Sequence, residues 1–222
     1  MKKSLFALLA ASAIFLDAGD IVKYKNMNNI NIGKSVMMVR KNGSITINTN
    51  GLIANISMPF KTHAGWSKRT SAAVFDDSRK NQILYTDSFP EKGANPVRYT
   101  RKVELTEDDK IVINYSAESA QKKNIQEFFC RVELSMKQYA GSDIEVNGQK
   151  FKVENITKYG WFRKTAEKPE VIFFKDGLPA LRITSDSKMR MVGEARKDGI
   201  VGIRFYCAEG TAGELTVSYP DK

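Results

Sequence analysis

The sequence predicts an all-β protein: a large antiparallel β-sandwich, jelly-roll or supersandwich-like, with about a dozen strands. Three observations carry this prediction. Apolar and polar residues alternate with a period of two in many short segments, as in strands that have one buried and one wet face. Asn-Gly and Asp-Gly pairs separate these segments, and helical periodicity is almost absent.

The predicted strands and turns follow one another along the chain. Alternating segments lie at 44–48, 52–58, 99–105, 111–115, 171–174, 181–183, 189–192 and 215–219. Tight turns with positive φ are expected at Asn42-Gly43, Asn50-Gly51, Asn147-Gly148, Asp176-Gly177 and Asp198-Gly199. The Asn-rich stretch 27–34 is interpreted as a leader strand or a flexible entry, and 117–126 as a loop or an edge segment.

The first 18 residues have the pattern of a secretory signal peptide. Lys2 and Lys3 precede an apolar run of 12 residues, 5–16, and small residues follow around Ala18. The run is shorter than the roughly 20 residues that a membrane-spanning helix needs, and an uncleaved anchor is the alternative. We therefore expect cleavage after Ala18 and a single β-sandwich domain over residues 19–222, without a transmembrane segment, that is secreted, periplasmic or on the outer surface.

The composition is basic, with 35 Lys and Arg against 25 Asp and Glu and a net charge of +10. Loss of Lys2, Lys3 and Asp17 with the leader would leave +9. This balance favours an anionic partner, such as an acidic polysaccharide or another anionic polymer. Because the basic residues are dispersed among acids, simple solubility is the alternative. No RNA-recognition or OB-type motif is present and export argues against nucleic acid, so no nucleic-acid partner is expected.

The two cysteines fall on the inward positions of alternating segments. Cys130 shares its predicted face with Val132, and Cys207 shares its face with Phe205. In an exported protein they either form one disulfide or remain as two buried, inert thiols, since the sequence does not show whether the two strands are neighbours. Two cysteines and one histidine fall short of a closed structural zinc site, so we expect no metal and no other cofactor.

Motifs of nucleophilic or metal-dependent catalysis are absent from the sequence. The doublets Asp76-Asp77 and Asp108-Asp109 are typical of turns, in which an aspartate bonds to its own backbone. His63 is the single histidine, and it is the candidate for an acid–base residue. No motif identifies the acid and the nucleophile that a catalytic triad needs beside His63. The sequence therefore predicts no catalytic residue beyond this candidate.

The segment 158–164, KYGWFRK, is the best candidate for a ligand-binding surface. Strand alternation would place Tyr159, Trp161 and Arg163 on one face, where the rings can stack on a sugar and the guanidinium can pair with a carboxylate or sulfate. The alternative is that Trp161 belongs to the core and Arg163 extends to solvent. A second group of the same kind consists of Trp66, Lys68 and Arg69.

Part of the chain resembles β-sandwich accessory domains of secreted bacterial glycoside hydrolases. Segments 132–136, 139–141, 144–148 and the basic-aromatic stretch ending at Arg163 resemble the C-terminal half of such domains, and 101–117 is similar to their middle strands. The resemblance implies an extracytoplasmic, carbohydrate-associated sandwich that is usually not itself catalytic. This chain departs from the pattern in carrying no adjoining catalytic barrel.

Three functions are compatible with these observations. The first expectation is an exported, non-catalytic β-sandwich that binds carbohydrate or an acidic surface polymer. The second is a glycan-active enzyme of the polysaccharide lyase or sugar epimerase type, which would use His63 or tyrosines as acid and base. The third is a structural envelope protein whose sheet edge pairs with a partner. The sequence indicates no oligomeric state.

Overall fold

The computed structural model describes residues 19–62, 65–67, 73–89, 96–119, 125–207 and 210–220, so the predicted leader lies outside the described residues. These ranges contain 20 strands, a 3-10 helix at Val153–Asn155 and no α-helix. No helix in the described ranges is long and apolar enough to span a membrane. The strands are β1 (Asp20–Lys23), β2 (Met27–Ile32), β3 (Ser35–Arg40), β4 (Ile45–Thr49), β5 (Leu52–Ser57), β6 (Phe60–Thr62), β7 (Gly65–Trp66), β8 (Val74–Asp76), β9 (Gln82–Phe89), β10 (Val97–Leu105), β11 (Ile111–Glu118), β12 (Ile125–Ser135), β13 (Asp143–Val146), β14 (Gln149–Lys152), β15 (Arg163–Ala166), β16 (Glu170–Lys175), β17 (Leu178–Thr184), β18 (Met189–Ala195), β19 (Ile200–Cys207) and β20 (Ala212–Ser218).

The strands form two antiparallel sheets, which confirms the predicted β-sandwich. Sheet I has the order β1-β2-β3-β4-β5-β12-β19-β18-β15, with β6 beside β12 and β7 beside β6. Sheet II has the order β14-β13-β16-β17-β20-β11-β10-β9-β8. There are more strands than the expected dozen because several of them, such as β6, β7 and β8, are only two or three residues long and show no readable alternation.

The turns explain why the sheets are built from neighbouring hairpins. At Asn50-Gly51, Asn147-Gly148 and Asp176-Gly177 both residues have positive φ, the conformation that a two-residue type I′ hairpin requires. Gly43 and Gly199 alone have positive φ in the other two predicted turns. The Asn-rich stretch is strand β2, with every second residue buried, and it is therefore the leader strand of the two alternatives.

The core lies between the two sheets and consists of the alternate, inward-facing residues of both. Fully buried examples from five strands are Ile47, Ile113, Val132, Phe173 and Phe205. Aromatic pairs connect the sheets: the rings of Phe60 and Tyr99 are 6.1 Å apart, and those of Tyr115 and Phe128 are 5.4 Å apart. The buried residues of the two sheets form one apolar cluster.

Strand β12 pairs with two strands on the same side, because two residues, 58 and 59, separate the end of β5 from the start of β6. Residues Arg131–Glu133 pair with β5, and the N-terminal part of β12 pairs with β6. The break contains Pro59, which has no amide hydrogen to donate to the sheet. The pairing partner of β12 on this side therefore changes from β5 to β6 at residues 58–59.

Candidate functional site

Aromatic and basic side chains gather on the outer face of sheet I, where β12, β19, β18 and β15 lie side by side. In antiparallel pairs, residues that face one another across the ladder lie on the same side of the sheet. The register therefore aligns Phe129, Tyr206, Arg190 and Thr165 in one row. A second row contains Arg131, Arg204, Val192 and Arg163. We call the following residues the outer-face cluster: Trp66, Phe129, Tyr159, Arg163, Arg190, Arg204 and Tyr206.

Arg204 lies at the centre of the cluster and is held by Glu194. Its Nε and Nη2 donate to the two carboxylate oxygens of Glu194 at 2.8 and 2.6 Å. Its guanidinium carbon is 4.6 Å from the ring centre of Phe129 and 5.2 Å from that of Tyr159. Such a bidentate, stacked arrangement fixes the planes of all the groups involved.

The directions of the pKa shifts indicate that this pair is charged near neutral pH. Burial acts to raise the pKa of the Glu194 carboxyl, but the hydrogen bonds and charge of Arg204, with Arg131 and Arg196, outweigh it and hold the pKa below its ordinary value. Burial likewise acts to lower the pKa of Arg204, but its bonds to Glu194 and Tyr206 raise it. The charge of Arg204 is thus already compensated, and Arg204 mainly positions the aromatic rings.

Two other arginines keep their charge available. Arg163 lies 5.8 Å from the ring centre of Tyr159, and Arg190 lies 4.3 Å from the ring centre of Tyr206. Both side chains are exposed, and within the described part of the chain neither forms an ion pair with a carboxylate. The cluster therefore presents two uncompensated guanidinium groups, each beside an aromatic ring.

A groove of about 570 Å³ continues from the cluster around the end of the sandwich. Tyr159, Thr165, Arg190 and Tyr206 form its upper wall. The rest of the lining consists of Ile125, Gln126, Glu127, Phe128, Cys207, Gly210 and Thr211. Burial raises the pKa of Tyr206 despite the opposing charge of Arg204, so its hydroxyl stays protonated near neutral pH and can donate a hydrogen bond.

The predicted contact set Tyr159, Trp161 and Arg163 is divided by the structure. The expected strand at this segment is wrong: β15 begins only at Arg163, and Gly160, with φ 75°, turns the chain before it. The Gly160 amide donates to the carbonyl of Gly193 at 2.7 Å, which fixes the turn on β18. Tyr159 and Arg163 consequently reach the outer face, whereas Trp161 does not share it with them.

Trp161 packs against the core, as in the alternative interpretation. Its ring centre is 4.7 Å from that of Phe151 and 6.2 Å from that of Phe162. The indole Nε1 donates to the carbonyl oxygen of Glu194 at 3.3 Å. Its polar atom is already bonded within the protein, so Trp161 stabilises the turn that carries Tyr159.

The second predicted group is only partly described. Trp66 is 47% exposed, lies edge-on to Phe129 at 6.0 Å and therefore extends the cluster beyond β12. Lys61, paired with Trp66 across β6 and β7, has its Nζ 6.0 Å from the indole ring centre. Lys68, Arg69 and the candidate acid–base residue His63 lie outside the described residues.

Both cysteines carry free thiols. Cys130 is opposite Phe205 in the β12–β19 ladder, which places it diagonally to Cys207 on the inner face. Diagonal neighbours are about 7–8 Å apart between Cα atoms, beyond the usual disulfide range, so a bridge would require the backbone to move. Burial raises the pKa of both thiols, which keeps them protonated.

One member of each aspartate doublet behaves as a turn residue. Asp76 accepts a hydrogen bond from the backbone amide of Ser78 at 2.9 Å, and Asp108 accepts one from the hydroxyl of Thr106 at 2.6 Å. The bond from Ser78 lowers the pKa of the Asp76 carboxyl, and the bond from Lys110, with that from Thr106, lowers the pKa of the Asp108 carboxyl. The second members bond to distant segments: Asp77 accepts from the side-chain amide of Asn28 at 2.9 Å, and Asp109 accepts from the backbone amide of Gly19 at 2.7 Å. Among the described residues no group of three or more His, Cys, Asp or Glu side chains could hold a metal ion.

Sequence reasoning missed Phe129, Arg190, Arg204 and Tyr206. A signal for Phe129 and Tyr206 exists in FFCRVE and IRFYC, where an aromatic residue stands out of phase with the inward apolar positions. The two arginines alternate in the same way with buried residues of β18 and β19. Their common location, however, depends on strand order, which no local pattern contains.

Comparison with known proteins extends the description of the fold. No protein-family model matches the chain, and no curated protein sequence matches it. Among 29 matching chains of solved structures is the 4-alpha-glucanotransferase from Thermococcus litoralis, with a TM-score of 0.51 and 12% identity. The match covers 90% of this chain but 38% of the glucanotransferase chain. At this identity the similarity concerns the fold alone.

Proposed function

We propose that the protein is an exported, non-catalytic β-sandwich that binds an acidic polysaccharide or a related anionic surface polymer through the outer-face cluster. The observation that carries the proposal is the pair of uncompensated arginines, Arg163 and Arg190, each beside an exposed or half-exposed tyrosine. A uronate unit offers a carboxylate to a guanidinium and a flat apolar sugar face to a ring.

The shape of the cluster supports an elongated ligand. Apart from Trp66 on β7 and Tyr159 before β15, the side chains are spread over the four neighbouring strands β12, β19, β18 and β15, which corresponds to about 14 Å across the sheet at the usual strand separation. Trp66 extends the cluster beyond β12, and Phe129 and Arg204 connect it to Tyr159 through ring and cation–π contacts. The rings are fixed by packing and by the Glu194–Arg204 pair, so little conformational entropy is lost on binding.

Electrostatics and the fold comparison agree with this proposal. The net charge of +10 favours association with an anionic polymer. The structural neighbour is named a glucanotransferase, an enzyme that acts on a glucan, although the likeness to it extends only to the fold. We propose export because of the signal-peptide pattern of residues 1–18.

Binding is favoured over catalysis because the cluster lacks an activated base. A lyase or epimerase that uses a tyrosine needs its phenolate near neutral pH. The pKa of Tyr206 is raised, chiefly by burial, so the phenolate is disfavoured where the arginines would receive a uronate. Glycan-active enzymes therefore remain the alternative proposal, to be tested by turnover of a polyuronate and by His63→Ala.

The test compares retention of the purified protein on polygalacturonate and on neutral amylose at low salt. We expect retention on polygalacturonate that falls steeply as salt is added, because salt screens exposed charges. The double variant Arg163→Gln/Arg190→Gln should bind at least about tenfold more weakly, since a charge-assisted hydrogen bond contributes about 1.5–3 kcal/mol. Arg98→Gln, which removes one exposed charge from sheet II, is the control for the loss of net charge and should bind like the wild type.

Two results would count against the proposal. One is the absence of retention of the wild type on either polymer at low salt. The other is a loss of binding free energy in Arg98→Gln that is half or more of the loss in the double variant, because net charge alone, one unit against two, would then explain the interaction. All three substituted side chains are exposed, so unfolding is not expected to confuse the comparison.

A further inference from the structure

A second cavity, of about 540 Å³, is lined by strands of both sheets beside the break between β5 and β6. The turn 42–44 and Arg40 border it on one side, and the strands β9 and β10 of sheet II border it on the other. Its apolar lining consists of Ile45, Ile56, Met58, Pro59, Phe60 and Phe89. Its volume falls within the range typical of small-molecule sites.

The guanidinium of Arg101 lines this cavity from β10 and is almost fully buried, with 3% of the residue exposed. Its Nε and Nη2 have no hydrogen-bond partner among the described residues, and its Nη1 lies 3.9 Å from the sulfur of Met58. Its guanidinium carbon is 5.2 Å from the ring centre of Tyr85, so this ring covers one face of the guanidinium plane. The bonding edge of the guanidinium thus lacks a matching acceptor.

No carboxylate among the described residues forms an ion pair with Arg101, and the buried carboxylate of Asp87 on β9 accepts a hydrogen bond from the hydroxyl of Tyr85 at 3.0 Å instead. Arginine stays protonated in proteins, and a buried charge is costly unless it is paired. Of the lining residues, Glu133 is engaged by Arg131 at 3.1 Å and by Arg196 at 2.8 Å. Tyr99 is not a counter-charge either, because burial raises its pKa to about 12 and its hydroxyl donates to the sulfur of Met58 at 3.3 Å.

We propose that this cavity binds a small organic anion, whose carboxylate pairs with Arg101 and whose apolar body contacts Met58, Phe60 and Phe89. The planar guanidinium offers Nε and Nη2 as the two parallel donors that a carboxylate accepts. The apolar lining favours an aliphatic or aromatic body over a sugar ring. This site is distinct from the outer-face cluster, and it does not depend on the proposed polysaccharide binding.

The approach of the β3–β4 turn to Arg101 gives the cavity a defined wall. A Cβ atom at Gly43 would lie 3.0 Å from the ring of Tyr85 and 3.3 Å from Nη2 of Arg101. Gly43 also has φ 83°, which a residue with a side chain adopts with strain. A glycine at this position therefore leaves the donor edge of Arg101 accessible from the cavity.

The experiment measures binding of sodium octanoate to the purified protein by calorimetry, with octanol as the uncharged analogue and galacturonate as the anion with a polar body. We expect saturable binding of octanoate, at least about tenfold weaker binding of octanol, and no measurable binding of galacturonate in this cavity. Arg101→Met should abolish octanoate binding, whereas Arg98→Met, on the same strand but exposed, should preserve it. Arg163→Gln/Arg190→Gln should also preserve it, which separates this site from the proposed polymer site.

Thermal unfolding of the same variants keeps the proposal falsifiable if Arg101→Met binds nothing. Without octanoate, Arg101→Met should unfold at the same temperature as the wild type or higher, because the change removes an uncompensated buried charge. Octanoate should raise the midpoint of the wild type and leave that of Arg101→Met unchanged.

The proposal is overturned if octanoate binds equally to Arg101→Met and to the wild type, or does not bind the wild type at millimolar concentration. It is also overturned if galacturonate binds in this cavity, that is, if the wild type binds galacturonate and Arg101→Met does not. The proposal is overturned as well if ligand-free Arg101→Met has a lower midpoint of thermal unfolding than the wild type while Arg98→Met does not. Protein contacts would then already satisfy the guanidinium of Arg101.

Discussion

Replacement of Gly193 by alanine is the sharpest test of how the Tyr159 turn is held on sheet I. Gly193 lies in β18, and the indole of Trp161 lies directly over it. A Cβ atom at this position would be 2.5 Å from Cε2 and 2.6 Å from Cδ2 of Trp161. Since carbon atoms prefer about 3.5–4.0 Å, the indole would have to move away by about 1 Å or more.

The cost follows from what Trp161 would lose by that movement. Its contact with Phe151 and its hydrogen bond to the Glu194 carbonyl would both be disturbed. Overpacking costs about 1–3 kcal/mol, and an aromatic pair or a hydrogen bond contributes about 1 kcal/mol each. We therefore expect Gly193→Ala to lower the free energy of unfolding by about 2–4 kcal/mol, or the melting temperature by roughly 5–15 °C for a chain of this size.

Urea unfolding of four proteins checks the reasoning: the wild type, Gly193→Ala, Trp161→Ala and the double variant. If the clash with the indole is the cause, Gly193→Ala should cost less than about 1 kcal/mol in the Trp161→Ala background. An equal loss in both backgrounds would refute the explanation and assign the effect to the backbone of β18. Trp161→Ala alone should also destabilise, by up to about 3 kcal/mol, because its side chain is partly buried.

Two further predictions concern charge and thiol chemistry. Glu194→Gln should destabilise the protein by about 2–4 kcal/mol near neutral pH by leaving buried Arg204 without its carboxylate; because the folded pKa of Glu194 is lowered, this gap should be full above 4.5 and shrink as pH falls through the folded pKa, and a gap in urea unfolding that stays constant into acid would contradict the assignment. Iodoacetamide followed by mass spectrometry should label the half-buried Cys207 slowly and faster as pH rises, while Cys130 reacts only after unfolding; labelling of Cys130 in the native protein would show that β12 and β19 separate.

The fold could be predicted from the sequence because its signals are local. Period-two alternation identifies the inward face of a strand from the strand itself, and positive φ at Asn50-Gly51 or Asn147-Gly148 depends on two adjacent residues. Such features do not require knowledge of the strand's neighbour. The very short strands, β6 to β8, contain too few residues to alternate. The longer strands β3 and β9 were also missed, because polar Ser35 and Asp87 lie on their buried faces and break the alternation.

The outer-face cluster could be predicted only in part because it depends on strand order. Trp66, Phe129, Tyr159 and Arg190 meet only after β12, β19, β18 and β15 have been placed side by side. The alternation assumed through KYGWFRK was wrong because Gly160 turns the chain, and this separated Trp161 from its two neighbours.

Arg101 illustrates a signal that was present in the sequence and can be used. Tyr99, Val103 and Leu105 mark the inward phase of β10, and Arg101 occupies the same phase. A charged residue on an inward phase is unusual, because burial of a charge is costly without a partner. Such a break in the alternation points to a site more directly than an exposed aromatic motif does.

The strands at the two ends of each sheet order limit edge-to-edge association. Strands β1, β15 and β14 have four residues each and β8 has three, so each leaves roughly two backbone positions free to pair with another chain. Each also carries charge, as in RKTA of β15, QKFK of β14 and VFD of β8. A foreign strand would gain few hydrogen bonds there and would have to lie beside a charged side chain. An association through these sheet ends would first have to overcome their short length and their charge.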